Sequence, residues 1–128
     1  MRLIKPWYLI RWEELVSSRI GHFSVNTELY CCERDAKINT PSQRYLDVFY
    51  LKKYVCNRQL EKMWRRRLII LPRWLLSPLS IVNRFFNKFV SDENVHEIEL
   101  SYRSNRDVYN LLEKFQAHIG FNKEEELK

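Results

Sequence analysis

The sequence predicts an α/β domain, a mainly parallel sheet of about four strands with helices on both faces. Apolar runs typical of buried strands alternate along the chain with segments of helical periodicity. The length of 128 residues is that of one domain and is sufficient to bury a hydrophobic core. We therefore expect one domain over residues 1–120, followed by a polar and frayed tail over residues 121–128.

The first half of the chain contains two strand-and-helix pairs. Trp7–Trp12 is an aromatic and aliphatic run that predicts a buried strand. A helix is then expected from Ser24, a candidate N-cap. Its buried face is predicted to carry Val25, Leu29, Cys32 and Ala36. After a loop at residues 39–42, Tyr45–Leu51 predicts the second strand, in which Asp47 is the one charged residue.

The second half continues the alternation. The next helix is predicted from an apolar stripe of Cys56, Leu60, Met63 and Trp64. Leu68–Leu71 predicts a short third strand, and a third helix follows with Pro78 near its first turn. The apolar face of that helix is predicted to carry Leu75, Leu79, Val82, Phe86 and Phe89.

A fourth strand is expected at residues 98–102, because Ile98, Leu100 and Tyr102 alternate with polar residues. A last helix is predicted from Ser104 to Gly120.

Composition excludes several classes of protein. With 45% hydrophobic and 30% charged residues, the chain is unlike a disordered protein. No apolar stretch reaches the roughly 18 residues of a membrane span, so we expect a cytoplasmic protein. The three cysteines, with Cys31 and Cys32 adjacent, are expected to be buried thiols. Since the sequence contains no Asp-x-Asp and no local His or Cys cluster, no metal site is predicted.

The basic charge is concentrated in one segment. Lys52–Trp74 contains eight of the 22 Lys and Arg residues and one of the 16 acidic residues. Within it, Arg65, Arg66, Arg67 and Arg73 lie beside tryptophans. This pattern is typical of a solvated helix face, but it also fits a surface that contacts anionic lipid. A noncatalytic interaction module that binds nucleic acid is a further alternative, which no recognised motif supports.

A short motif between the first strand and the first helix is the strongest candidate site. It reads Arg19-Ile20-Gly21-His22-Phe23. Gly21 would let a ligand approach the backbone, and the helix amides with Arg19 would bind a phosphate. Asn26 shares a helical face with His22, a candidate general base. The alternatives are a tight turn with a salt-bridged Arg19, and a histidine that only forms hydrogen bonds.

Together with Asn26-Thr27-Glu28-Leu29-Tyr30 and Glu33, this motif resembles the opening of a bacterial family of predicted glycosyltransferases. Further fragments follow in the order found in that family. They are Leu-Asp-Val-Phe-Tyr at 46–50, Cys-Asn-Arg-Gln-Leu at 56–60, Met-Trp-Arg-Arg at 63–66, and Gly120-Phe121 with Glu124-Glu125-Glu126. The resemblance covers most of the chain and is strongest between Arg19 and Arg66.

The resemblance implies a GT-B-like enzyme of two domains. Such an enzyme would transfer a sugar from a nucleotide-sugar co-substrate to a glycan or lipid-linked acceptor. Its role would be in surface polysaccharide or glycoconjugate synthesis. Residues 1–120 would be its Rossmann-like, acceptor-side N-terminal domain, and residues 121–128 would lead to a C-terminal domain that the sequence lacks. That domain would hold most nucleotide-sugar contacts, so we expect the isolated chain to be inactive. We expect no bound cofactor, and the basic, tryptophan-containing segment predicts peripheral contact with the inner membrane.

Overall fold

The computed structural model describes residues 8–38, 40–89, 98 and 107–127, and gives side-chain positions for all of these except 80, 83, 84 and 86–89. Its elements, in chain order, are β1 (Leu9–Leu15), a π-helical turn (His22–Asn26), α1 (Thr27–Asp35), β2 (Tyr45–Leu51), α2 (Arg58–Arg65), β3 (Ile69–Ile70), α3 (Arg73–Phe89), α4 (Leu111–Lys114) and α5 (Lys123–Glu126).

The three strands form a parallel sheet in the order β1-β2-β3. Leu9 pairs with Tyr45 and Leu15 with Leu51, so β1 and β2 end at the same edge. The predicted α/β class, parallel pairing and first three strands are confirmed. The predicted fourth strand lies outside the described residues except for Ile98, which is buried.

The sheet has a hydrophobic core on each face. On one face Phe49 of β2 packs in a cluster with Tyr30 of α1 and Trp64 of α2. On the other face Val48 and Tyr50 of β2, with Trp12 of β1, cluster with Leu76 of α3. The alternation of neighbouring strand residues between two cores follows from the two-residue period of a β-strand. Helices therefore cover both faces, as the sequence predicts.

Asp47 occupies a buried position because it forms an ion pair with β1. Arg11 donates from Nε to Asp47 Oδ1 at 2.7 Å and from a terminal nitrogen to Oδ2 at 2.6 Å. Tyr30 donates its hydroxyl to Oδ2 at 2.5 Å. Burial and the Asp47 carboxylate raise the pKa of Tyr30, which keeps this donor protonated. These hydrogen bonds link α1 to β1 and β2.

The first helix begins earlier than predicted, and Ser24 is not its N-cap. Residues 20 and 21 are already helical, and Ser24 Oγ donates to the Ile20 carbonyl oxygen at 2.8 Å from within the helix. Leu29 and Cys32 are buried as predicted, whereas Val25 is 49% exposed. The π-helical turn, which includes Val25 and precedes Leu29, contains one residue more than a regular α-helical turn. This extra residue shifts Val25 off the face that an uninterrupted α-helix would bury.

The third helix is also rotated relative to its predicted face. Leu76 is buried at 3% exposure, while the predicted Leu75 is 43% exposed and Val82 is exposed. Pro78 lies inside the helix beyond its first turn. Side chains 86 and 89 lie outside the described set. Leu79 packs against the Val48 and Leu76 cluster as predicted, so the predicted face is confirmed only in part.

The predicted long C-terminal helix is wrong in the part of it that is described. Asp107 accepts hydrogen bonds from the backbone of Leu111 and Leu112, which starts the four-residue α4, and the chain is extended again at Phe115. The predicted helix start at Ser104 lies outside the described residues. The tail is also more ordered than predicted, since α5 carries a capping box between Asn122 and Glu125.

Candidate functional site

A cavity of about 770 Å³ opens at the carboxyl ends of β2 and β3. Leu51 ends β2, and Leu71 and Pro72 follow β3, so all three wall residues belong to this edge of the sheet. Ligands of parallel α/β sheets bind at this edge. The volume lies within the range of about 300–1,000 Å³ that is usual for small-molecule sites.

The lining of the cavity combines apolar walls with a basic rim. Its charged lining residues are Lys52, Lys53, Arg58, Arg65, Arg73 and Glu61. Five positive groups against one carboxylate concentrate a positive potential in a concave, partly apolar space, which favours an anionic ligand. Trp74, 75% exposed, adds a large aromatic surface to the wall.

Three of the five basic groups already bind carboxylates. Arg58 donates to Glu61 at 2.7 Å and Arg65 donates from Nε to the same carboxylate at 3.0 Å. Burial alone would raise the pKa of Glu61, but the two guanidinium groups outweigh it and the pKa is lowered. Arg73 lies 3.1 Å from Glu14 of β1.

Lys52 and Lys53 differ from these arginines. Within residues 8–38, 40–89, 98 and 107–127, neither ammonium group forms a hydrogen bond or an ion pair. Lys53 is exposed and Lys52 is half-buried in the lining. These two groups are the cavity charges that a phosphate can bind without displacing a carboxylate.

The loops at the carboxyl ends of β1 and β2 are joined through Ser17, a fully buried residue that the sequence analysis missed. Its Oγ donates to the Tyr54 carbonyl oxygen and accepts from the Lys52 backbone N–H, both at 3.0 Å. The Ser17 carbonyl oxygen accepts from the Cys56 N–H at 2.9 Å. Ser17 therefore links the chain just before the Arg19 motif to the backbone of the loop that carries Lys52 and Lys53. A small polar residue just after a strand gives no distinctive sequence signal.

The Arg19 motif lies in the first turns of the helix that follows β1. Arg19 is exposed, and no acidic partner for it occurs among the described residues, so the predicted salt bridge is not found there. Gly21 has φ −61° and ψ −46°, and a Cβ there would have no neighbour within 4 Å. The backbone does not require glycine at this position, and the space above it is open. Neither Arg19 nor Gly21 lines the cavity.

His22 and Asn26 are brought together by the π-helical turn. Asn26 Nδ2 lies 2.8 Å from His22 Nδ1, within hydrogen-bonding distance, so the Asn26 amide orients the imidazole ring. The Phe23 carbonyl oxygen accepts from Trp64 Nε1 at 2.9 Å, which anchors the turn to α2. Single-turn π-helical insertions occur frequently at functional sites.

The predicted basic face is divided between two places. Arg65 and Arg73 line the cavity. Arg66 instead binds Glu125 and the Gly120 carbonyl oxygen, both at 3.2 Å, and Arg67 donates to the His118 carbonyl oxygen at 2.7 Å. Arg66 and Arg67 therefore hold the C-terminal segment against the end of α2, whereas Arg65 and Arg73 line the cavity.

A second group of reactive side chains lies on α1 at the C-terminal segment. Glu28, Cys32 and His118 place one ligand-type atom each within 4.8 Å of one another. His118 contacts Glu28 through Nδ1 at 2.5 Å and Asp35 through Nε2 at 2.9 Å. Burial alone would lower the pKa of His118, but the bonds to Asp35 and Glu28 raise it. Burial raises the pKa of Cys32 to about 11. The prediction of no metal site relied on the absence of such a cluster in the sequence, and the fold removes that reason.

Neither family models, nor curated proteins, nor solved structures gave a match for this chain. None of the helices within the described ranges is long and apolar enough to cross a bilayer.

Proposed function

We propose that the chain binds a diphosphate-bearing substrate as the Rossmann-like, acceptor-side N-terminal part of a glycosyltransferase. The observation that carries the proposal is the cavity at the carboxyl ends of β2 and β3, with Lys52 and Lys53 at its rim. A nucleotide-sugar donor and a lipid-linked acceptor both contain a diphosphate, so both have the chemistry that this cavity favours. Arg58 and Arg65, which line the cavity, belong to the sequence fragments that resemble the glycosyltransferase family.

Each part of the site has a task in this proposal. Lys52 and Lys53 bind the phosphates, and the Trp74 ring covers the base or sugar by stacking. Arg19 and His22, on the turn after β1, are the further candidates for polar contacts with the substrate. During transfer a diphosphate leaving group gains negative charge, and preformed positive groups stabilise that charge. Glu61 holds Arg58 and Arg65 in place, which limits reorganisation when the ligand binds.

Calorimetric titration of the purified chain tests the proposal. The ligands are uridine and guanosine diphosphates, their sugar conjugates and an isoprenyl diphosphate, so that donor and acceptor chemistries are separated. Replacing both lysines, Lys52→Ala with Lys53→Ala, is expected to weaken binding at least about tenfold, because each charge-assisted hydrogen bond contributes about 1.5–3 kcal/mol.

Lys114→Ala is the matched control, because Lys114 is an exposed lysine of α4 outside the cavity lining. Its affinity should equal that of the unmodified chain. Absence of saturable binding for every diphosphate, or equal affinity in the double variant, would contradict the proposal. Transfer of sugar by the isolated chain would contradict the requirement for a second domain.

The exposed face of α3 favours a second candidate function, contact with an anionic membrane. Trp74, Ile81 and Phe85 are 75%, 65% and 62% exposed and recur at helical spacing. Tryptophan prefers the membrane interface, and Arg73 begins the same helix. This face would hold the cavity close to a lipid-linked acceptor at the inner membrane, in keeping with the predicted peripheral location.

Sedimentation with liposomes distinguishes this candidate. The chain should sediment with vesicles that contain anionic lipid, and Trp74→Ser with Phe85→Ser should stay in the supernatant. Equal sedimentation of both forms would remove the membrane candidate without affecting the diphosphate proposal. Binding to duplex or single-stranded nucleic acid that weakens steeply with salt would favour the interaction-module alternative.

A further inference from the structure

The C-terminal segment meets α1 through a set of side chains that the proposed function does not use. Glu28 and Cys32 are one helical turn apart on α1, and His118 approaches them from a position 90 residues away in sequence from Glu28. The Cys32 thiol is buried, and the side chains of Glu28 and His118 are 15% and 13% exposed. Carboxylate, thiol and imidazole together form a donor set of the kind that binds zinc in proteins.

We propose that Glu28, Cys32 and His118 bind a divalent transition-metal ion, with Zn²⁺ the best match to their donor chemistry. The ligand atoms lie within 4.8 Å of one another, and in a tetrahedral zinc centre they would lie about 3–4 Å apart. Ion binding would require the closest pair, Glu28 Oε1 and His118 Nδ1 at 2.5 Å, to move apart and the more distant ligand atoms to approach one another. Three protein ligands leave a fourth position, which a water molecule or an external ligand would fill.

Asp35 provides an independent argument for this site. It accepts from His118 Nε2 at 2.9 Å, on the side of the ring opposite to Glu28. A metal-binding histidine usually donates its other ring N–H to a carboxylate, which fixes the tautomer and orients the ring. With Asp35 on Nε2, the nitrogen that faces Glu28 and Cys32 is Nδ1, the atom that the metal would take.

The ligands themselves supply the charge balance at this position. Asp35 pairs with Arg34 at 3.6 Å, so the negative charges that face the ion are the Glu28 carboxylate and the thiolate that a bound Zn²⁺ would form from Cys32. When the ion binds, the Nδ1 proton of His118 and the thiol proton of Cys32 leave to solvent. The two ligand charges of Glu28 and Cys32 then balance the ion.

The ion would link α1 to the C-terminal segment. His118 already contacts α1. Arg67, just after α2, donates a hydrogen bond to the His118 carbonyl oxygen. A metal ion that binds the folded arrangement stabilises it by mass action. The site would therefore be a structural metal site that holds residues 107–127 against α1. It is separate from the cavity and independent of the proposed substrate.

The test titrates Co²⁺ and then Zn²⁺ into the reduced, untagged chain after removal of metal with a chelator. We expect one ion per chain, an intense near-ultraviolet band from thiolate-to-Co²⁺ charge transfer, and loss of that band when Zn²⁺ displaces Co²⁺. The thermal midpoint of the unmodified chain should rise with Zn²⁺. Neither measurement requires a variant to fold.

Variants then assign the ligands. Cys32→Ser and His118→Gln should abolish the charge-transfer band or weaken Zn²⁺ binding at least about tenfold, and Asp35→Asn should weaken it about 10–100-fold. Cys31→Ser is the matched control, since Cys31 is a buried neighbouring thiol that belongs to the core over β2 rather than to this group. Circular dichroism establishes that each variant is folded.

Two results would overturn the proposal. One is a Co²⁺ spectrum without sulfur ligation together with no Zn²⁺ shift of the thermal midpoint. The other is Zn²⁺ affinity in folded Cys32→Ser equal to that of the unmodified chain, or affinity lost in Cys31→Ser alone.

Discussion

Replacing Arg11 by methionine is expected to destabilise the domain strongly. The change removes two charge-assisted hydrogen bonds of 2.6–2.7 Å and leaves the Asp47 carboxylate, whose side chain is 6% exposed, without this countercharge. Breaking a buried ion pair from one side costs about 3–5 kcal/mol. Whole-domain stabilities are about 5–15 kcal/mol, so the loss is a large fraction of the total.

Urea denaturation followed by tryptophan fluorescence measures this loss. The double variant Arg11→Met with Asp47→Leu should recover much of it, because the uncompensated charge is then removed. Arg58→Met is the exposed control, since Arg58 is 79% exposed in its pair with Glu61 and such pairs contribute about 0–1 kcal/mol. A loss for Arg11→Met as small as that of Arg58→Met would refute the role assigned to the buried pair.

Three smaller changes test other parts of the molecule. Gly21→Ala should raise the urea midpoint, with a gain of about 0.4–1 kcal/mol, because the residue is helical and its Cβ would enter open space; a loss would contradict that geometry. Ser17→Ala should cost about 1–3 kcal/mol and weaken diphosphate binding, since two hydrogen bonds between the loops disappear; unchanged values for both would exclude its linking role. The Asn122 backbone N–H is the largest of the causes that hold the pKa of Glu125 at about 2, below its ordinary value near 4.5, and Gln59 and Arg66 lower that pKa further. The stabilisation that the ionised Glu125 carboxylate gives the folded chain is therefore complete above pH 4.5 and is lost as the pH falls toward 2. The thermal midpoints of the unmodified chain and of Glu125→Gln should differ at pH 7 and converge at pH 2. A difference that stays constant with pH would contradict the assignment.

The strands of the sheet could be predicted from the sequence because their signal is local. Tyr45–Leu51 has the predicted bounds, and Leu68–Leu71 contains the observed β3. Asp47 was recognisable as unusual, but its reason lies in Arg11, 36 residues earlier. Tertiary partners of this kind leave no local pattern.

The buried faces of the helices were harder to predict, because they depend on local departures from regular α-helical geometry. One inserted residue in the π-helical turn exposes Val25, although its spacing to Leu29 is that of a regular helix. The predicted helix from Ser104 combined a capping-box pattern with apolar spacing. Asp107 instead caps α4, which ends after one turn.

The candidate site was predicted only in part. The sequence motif drew attention to the turn after β1, whereas the cavity is lined by residues 51–81 and is linked to that turn only through Ser17, which has no sequence signal. Lys52 and Lys53 were counted among the basic residues but not distinguished from the arginines, since only the fold shows that Glu61 already binds two of these. The Glu28 and His118 pair spans 90 residues and could not be inferred from spacing.

The most direct test of the central claim is an amide NMR titration of the chain with the diphosphates named above. Binding in the cavity should give saturable shifts in residues 52–58 and 71–77, with none in α4, and Lys52→Ala with Lys53→Ala should remove them. No saturable shift for any diphosphate, or shifts confined to residues 107–127, would contradict the assignment of this cavity as the substrate site.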